Sequence, residues 1–372
     1  MNKKLVRLQV IILGLCLLVS GCVAKANDDT EPIHMAEIGS ISSAYLVDND
    51  VGWVITSSSV FKTDDGGQEW TNVTPDAFAE FSDVKAAFLN DSIGWIGLFK
   101  EDDPNLQVLR TIDGGKNWAT CSIESREGAM APWPVALTFT DSNHGWLVTS
   151  YGVAAGSNWV DVYITQDGGQ LWQLAASGNP NKPEAGLPDS GLPLGGLKTG
   201  LGTADSQRAW LTGFSYGDGV WLYGTRDGGQ TWYPIELAVD PTYNTEGGSA
   251  PSWPPVFVDS QSGFLPVTFS DNGCIVFYRT RNGGNTWEAT VPVPATDYEP
   301  LWTFVDSEHG FVVDGSKLNV TADGCQSWQA IDFKLADVSQ LHFISPEQGW
   351  AVSEGKLFST ADGGVTWVQV TQ

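Results

Sequence analysis

Aromatic rings and carboxylates on long turns are the residues of this 372-residue chain that could do chemistry. Trp133, Trp159, Tyr216 and Trp253 sit in stretches rich in Gly, Pro and Ser, and Asp297-Tyr298-Glu299 sets a ring between two acids. Flat rings beside carboxylates suit a cleft for a glycan or a peptide, although the same rings also serve to pin Pro-rich loops. Asp297 and Glu299 are the pair that a glycan hydrolase or lyase would use. Other candidates carry less. Gly213-Phe-Ser-Tyr-Gly217 matches the nucleophile-elbow string, but it leads into Asp218-Gly219, a hairpin signal, where that chemistry needs a strand-to-helix turn and a His partner. His34, His144, His309 and His342 form no ligand set, and Glu101-Asp102-Asp103 reads as a solvated hairpin tip. Neither a metal nor a cofactor is implied, and no catalytic residue is assigned.

The elements that must position these side chains are written seven times. Thr-x-Asp-Gly-Gly-x-x-Trp, as in Thr111-Ile-Asp-Gly-Gly-Lys-Asn-Trp118, recurs with its Thr at 63, 111, 165, 225, 280, 321 and 360. Spacings of 39 to 60 residues mark a repeat architecture. The acid position is Asp65, Asp113, Asp167, Asp227, Asn282, Asp323 and Asp362. Its side chain accepts backbone N–H bonds inside a turn, and two glycines supply positive φ at low cost. The Thr ends one strand and the Trp begins the next, each buried ring contributing about 2–3 kcal/mol. Upstream of each box a second signal recurs, from AYLVDNDVGW to LHFISPEQGW, with Ala209-Trp210 the departure from Gly-aromatic. Alternating apolar and β-branched residues between short turns read as four strands per unit, with no helical period.

This box resembles the Asp-box, or BNR, repeat of sialidase-like propellers, sortilin-type receptors, xyloglucanases and photosystem II assembly factors. The resemblance implies an all-β, seven-bladed propeller over residues 40–372, with each box a structural turn between strands three and four. LNDSIGWIG…LRTIDGGKNW is similar to the assembly factors, which implies a non-catalytic, protein-binding scaffold, although such factors are expected to offer a basic patch. A sialidase would need an arginine cluster. Of Arg110, Arg126, Arg208, Arg226, Arg279 and Arg281, only Arg126 falls away from the box rim. Whether the ring closes by packing or by an exchanged strand stays open.

Symmetry breaks in the hairpins joining strands two and three. They are longer in blades two to five, and the crossovers after blades three and four are long as well. Insertions therefore gather on the face opposite the boxes, the usual binding face of a repeat protein. Trp133, Trp159, Tyr216, Trp253 and Tyr298 are expected to converge there, within a ligand's reach of Asp297 and Glu299.

At the N-terminus, Lys3, Lys4 and Arg7 precede an apolar run too short to span a bilayer, then Val19-Ser20-Gly21-Cys22. That string resembles a bacterial lipobox, implying a signal peptide over 1–21, lipidation at Cys22 and a tether over 22–39. The resemblance makes the protein an exported lipoprotein on the outer face of the cytoplasmic membrane. Removing residues 1–21, with three cations and no acid, takes the formal charge from −25 to −28. A surface so acidic repels nucleic acid and favours a monomer. Cys121, Cys274 and Cys325 are expected as buried or half-buried thiols. The reading is a membrane-anchored propeller that holds a protein or glycan on its loop face, with a glycan-active hydrolase or lyase as the alternative.

Overall fold

The computed structural model describes residues 33–370 apart from 79–80, 102, 127–130, 180–189, 218 and 297–299. Its strands form seven antiparallel sheets, each made of consecutive strands in chain order. The blades span 41–72, 83–123, 133–177, 197–234, 256–294, 301–332 and 338–369. Helix among the described residues is limited to short 3-10 turns. First strands of neighbouring blades touch, as Asp83–Phe88 does Trp133–Phe139. Fourth strands such as Glu288–Ala289 and Val368–Gln369 are short and exposed. First strands therefore surround the axis and fourth strands form the rim. Second strands lie between two neighbouring sheets, so Gly52–Thr56 and Gly349–Ser353 are buried throughout.

The Gly-aromatic pairs are explained by how blades stack. Trp95 lies on Phe139 of the next blade at 3.4 Å between centroids, Phe264 on Phe304 at 3.8 Å and Phe311 on Phe343 at 3.6 Å. Each of these Phe rings covers the glycine opposite it in its own sheet. A Cβ on Gly145 would lie 2.4 Å from Phe139, and one on Gly310 2.4 Å from Phe304. Blade four follows the same logic by exception, since Ala209 pairs with Thr203, which has no ring to lay flat.

Each box turn is closed by its own side chains. The Thr hydroxyl donates to the Asp or Asn oxygen at 2.8–3.0 Å in all seven. The same hydroxyl accepts the N–H four residues on, also at 2.8–3.0 Å. Both glycines need the left-handed region, as Gly114 (φ +74°) and Gly115 (φ +85°) show. Hydrogen bonds from the Ser327 hydroxyl and N–H hold the Asp323 carboxyl down to about 2. A second turn interlocks with the box. Asp306 Oδ1 accepts from the N–H groups of Glu308 and His309 at 2.7 and 2.8 Å, and the Glu308 carbonyl accepts Gly324 N–H at 2.9 Å. Asp141 organises Asn143 and His144 in the same way. His144 and His309 set their Nδ1 against these carboxylates at 2.8 and 2.9 Å, which explains their matching positions.

Cations staple one blade to the next box. Arg208 donates to Gly283 O at 2.7 Å and Arg279 to Gly324 O at 3.4 Å. Lys62 and Arg110 stand against Gly114 and Gly168 at the equivalent place. Arg208 and Arg279 on this rim are thus structural.

Among the described residues the ring closes by packing, with no exchanged strand. Trp350, Val352 and Leu357 of blade seven cluster with Ile41, Leu46, Val54 and Phe61 of blade one. Ile41 N–H donates to Gly355 O at 2.9 Å, and Ala44 N–H to Gln340 Oε1 at 2.6 Å. Residues 33–38, expected in the tether, instead strap this seam. Ile33 exchanges two backbone bonds with Trp70, at 2.8 and 2.9 Å, while Met35 and Ile38 are buried in the cluster. Three apolar side chains in a polar stretch gain more from burial than the segment loses in freedom.

The insertions differ from the expected loops. In blade three the extra residues lengthen the strands, Gly145–Ala154 pairing with Ser157–Thr165 out to Ala154 and Ser157. Blade five does likewise with Gly263–Phe269 and Cys274–Thr280. Val, Tyr, Trp and Ile in these stretches favour a pleated ladder over a free loop.

Candidate protein-binding face

The tall hairpin of blade three is built on a buried carboxylate. Asp161 is fully buried, accepting from Trp159 Nε1 at 3.0 Å and from Arg126 Nε at 2.8 Å. Arg126 comes from the crossover between blades two and three, so it does reach the loop face, where Asp161 engages it. Trp159 stacks on Tyr151 at 4.5 Å, and the hydroxyls of Tyr151 and Tyr163 meet at 3.3 Å. Burial pushes both phenols up, so they remain neutral donors.

Blade four is joined to this hairpin by a lysine. Lys198 Nζ donates to the carbonyls of Leu194, Asn158, Gly196 and Gly195 at 2.8 to 3.1 Å, and it lies 5.1 Å from the Trp221 ring centre. Burial alone pushes the amine down to about 7. Four carbonyl oxygens and an indole face solvate the ammonium in place of water, so the cage holds the charged form. Tyr216 leans across from its own hairpin, and a Cβ on Gly156 would lie 2.8 Å from its ring.

Above this framework apolar side chains stand in solvent. Trp133 is 41 %, Val153 58 %, Leu194 36 % and Tyr216 69 % exposed. All four belong to the tops of blades three and four or the crossover between them. The other exposed large apolar residues among those described, such as Ile112, Leu171 and Val365, are scattered over box turns and the rim.

The aromatics proposed from sequence are therefore divided. Trp133 and Tyr216 face solvent, and Trp159 is half-buried on Tyr151. Trp253 is buried, its N–H groups bonded to Pro266 O and Thr268 Oγ1 at 2.9 Å each and its ring 6.1 Å from Trp302. It pins the Pro-rich crossover to blade five, and it is not offered to a ligand. Asp297, Tyr298, Glu299 and Cys22 lie outside the described residues. Ser215, in the nucleophile-like string, uses its Oγ to accept Gly217 N–H at 3.3 Å inside a hairpin. Among the described residues no group of three His, Cys, Asp or Glu is placed to hold a metal. Cys325 is buried in the blade-six box and Cys274 half-buried at the start of its strand, both as thiols.

Sequence reasoning missed Asp161 and Lys198. An acid inside Trp-Val-Asp-Val-Tyr-Ile signals a buried charge that must be paired, but its partner lies 35 residues upstream in a crossover. The lysine carried no signal, because its partners are backbone carbonyls.

Residues 33–183 match the family model described as photosynthesis system II assembly factor YCF48. The chain is 23% identical over 342 residues to the photosystem II assembly lipoprotein Ycf48 of Synechococcus sp. (strain CC9902), covering 82% of this chain and 92% of that one. The chain is thus similar to the YCF48 assembly factors over that stretch and shares their propeller fold. A solved YCF48 bound to D1 peptide is similar at 18% identity and a TM-score of 0.57, over 91% of this chain and 97% of that chain. A GH74 xyloglucanase from Xanthomonas campestris is similar at 12% identity and a TM-score of 0.60, over 92% of this chain and 56% of that one. At such identities these two likenesses concern the fold. The resemblance to an assembly factor agrees with the non-catalytic binding role expected from sequence. The stretch that matches the family model ends in the crossover after blade three. The exposed patch straddles that limit, with Trp133 and Val153 inside it and Leu194 and Tyr216 beyond.

Proposed function

We propose that this chain is an exported, lipid-anchored scaffold that holds a protein client on its loop face over blades three and four. The observation that carries the reading is that Trp133, Val153, Leu194 and Tyr216 are all exposed on the tops of blades three and four and the crossover between them. Contiguous exposed apolar surface on a soluble domain marks a docking site. The frame beneath it is rigid, because Asp161 and the Lys198 cage lock the two hairpins and the crossover. A YCF48 with a bound peptide supports a polypeptide as the ligand class.

The anchor fits this arrangement. Trp70 follows the blade-one box, so Ile33, bonded to it, leaves the domain at the box rim. A lipid on Cys22 would then place the boxes toward the membrane and present the loop face to clients. Replacing Cys22 with Ser should move the protein from the membrane fraction to the soluble one with the melting temperature of the domain unchanged. Retention in the membrane would refute a lipid anchor at that residue.

The client reading is tested by cross-linking and capture with residues 28–372 in lysate of the source cell, comparing wild type with Trp133→Ala/Tyr216→Ala. Exposed aromatic anchors contribute about 2 kcal/mol or more each when a partner covers them. The double variant should lose captured protein by tenfold or more while keeping its melting temperature. Equal capture by both proteins would show that the client sits elsewhere. Turnover of a polysaccharide by the wild-type domain would favour the enzymatic alternative.

A further inference from the structure

Blade four opens on its outer flank. Its third and fourth strands pair only at Tyr223 with Pro234 and Gly224 with Tyr233, and a last bond runs from Ile235 N–H to Leu222 O at 2.9 Å. Beyond it Ile235-Glu-Leu-Ala-Val239 is half-buried and exposed in alternation, with Val239 N–H turned back to Leu237 O at 3.0 Å, and diverges from the hairpin that carries Tyr216. A cleft of about 520 Å³ lies between the two. Its floor is Trp221, Leu222, Ile235, Leu237 and Val239, and Glu236 is the charged residue of its lining. Edge backbone that parts from its neighbour is a site where another extended chain can enter.

The charges near the cleft specify what enters. Lys198 lies 5.1 Å from the Trp221 ring centre, enclosed by four carbonyls, and Arg126 is paired with Asp161. Arg226 lies 5.9 Å from the Tyr233 ring centre. Meanwhile Glu124, Glu236, Asp240 and Glu246 are exposed on the loops of this side. Among these described charges the exposed acids outnumber the one exposed cation, Arg226, so an acidic segment meets net repulsion and a basic one complementarity.

We propose that the flank cleft of blade four takes a cationic, apolar stretch of extended polypeptide, with aliphatic side chains on the Trp221–Val239 floor and a Lys or Arg ammonium or guanidinium against Glu236. This rests on the client-binding reading and extends it, because it specifies the client's chemistry. It also assigns this chain a client of opposite charge to one that a basic patch would select.

The test uses residues 28–372 and two fluorescent nonapeptides of alternating residues, Lys-Val and Glu-Val, with binding read by anisotropy. The Lys-Val peptide should bind and the Glu-Val peptide should not. Glu236→Lys should weaken the Lys-Val peptide about tenfold. Glu69→Lys carries the same change in net charge in the blade-one box, on another blade, and should weaken it less than twofold. Both glutamates are exposed, so neither variant threatens the fold. Equal loss in the two variants would reduce the effect to diffuse attraction and overturn the site, as would binding of the Glu-Val peptide or no binding at all. If lysate clients are still captured through Trp133 and Tyr216 while the Lys-Val peptide neither binds nor competes, the cleft proposal fails and the scaffold reading stands. If no client is captured, the scaffold reading itself fails.

Discussion

Gly284→Ala should destabilise the propeller by about 3 kcal/mol, more than any change on the exposed face, because two costs coincide. The residue has φ +78°, and its Cβ would lie 2.0 Å from Cζ2 of Trp210 in blade four. Trp210 cannot retreat, being stacked on Phe257 at 4.9 Å and edge-on to Trp287 at 5.7 Å. One interface along, the same problem is already solved. Cys325 occupies the second box position of blade six at φ +66°, and at the position equivalent to Trp210 blade five places Phe264 in the same cluster. A smaller ring leaves room for a side chain. Trp210→Phe should therefore recover at least 1 kcal/mol of the loss in Gly284→Ala, as a coupling energy in a double-mutant cycle of melting or denaturant curves. Additive effects would show that the cost is backbone strain alone and that the ring contact is relaxed at little expense.

That pairing of box residue with the preceding blade's ring shows what the sequence carries and what it hides. The period, the strand order within a blade and the burial of box Trp residues follow from Thr, Asp, Gly and Trp at fixed spacing, because each acts within about eight residues. Contacts between blades are not legible in the same way. Ala209 looks like a lapse in the Gly-Trp pattern until Thr203 is seen opposite it. Cys325 looks like damage to a box until Phe264 is seen beneath it. The site was read for its residue types and misplaced in depth. Trp133 and Tyr216 are exposed as expected, but Trp253 in Pro-Ser-Trp-Pro-Pro finds a hydroxyl and a neighbouring indole and is buried. Proline-rich composition signals a crossover, yet it does not tell whether the ring inside it turns in or out. Insert length was legible too, while its conversion into a taller hairpin depended on Val, Tyr and Ile continuing the ladder of blade three.

That hairpin depends on one carboxylate, and Asp161→Ala should cost about 3 kcal/mol. Removing one member of a buried ion pair costs about 3–5 kcal/mol, since the remaining charge stays desolvated. Arg126 keeps 16 % side-chain exposure against 0 % for Asp161, so water relieves part of the penalty and the lower figure applies. The loss should be local before it is global. Trp159 loses the acceptor of its indole N–H, the crossover loses the bond from Arg126 to Asp161, and the ladder above Thr149 has fewer ties to the blade beneath. Amide exchange should therefore quicken over Gly145–Thr165 while blade seven stays protected. Client capture through Trp133 should fall with it, although Trp133 itself is untouched. Asp161→Leu combined with Arg126→Met removes both charges and should restore most of the stability, because the guanidinium that had lost its carboxylate is removed with it. If the double variant is no more stable than Asp161→Ala, the hairpin is held by its hydrogen bonds to Asp161 and not by the pairing of charges. A loss below 1 kcal/mol in the single variant would mean that solvent already screens the pair, and the rigid frame assigned to the binding face would have to be sought in the Lys198 cage instead.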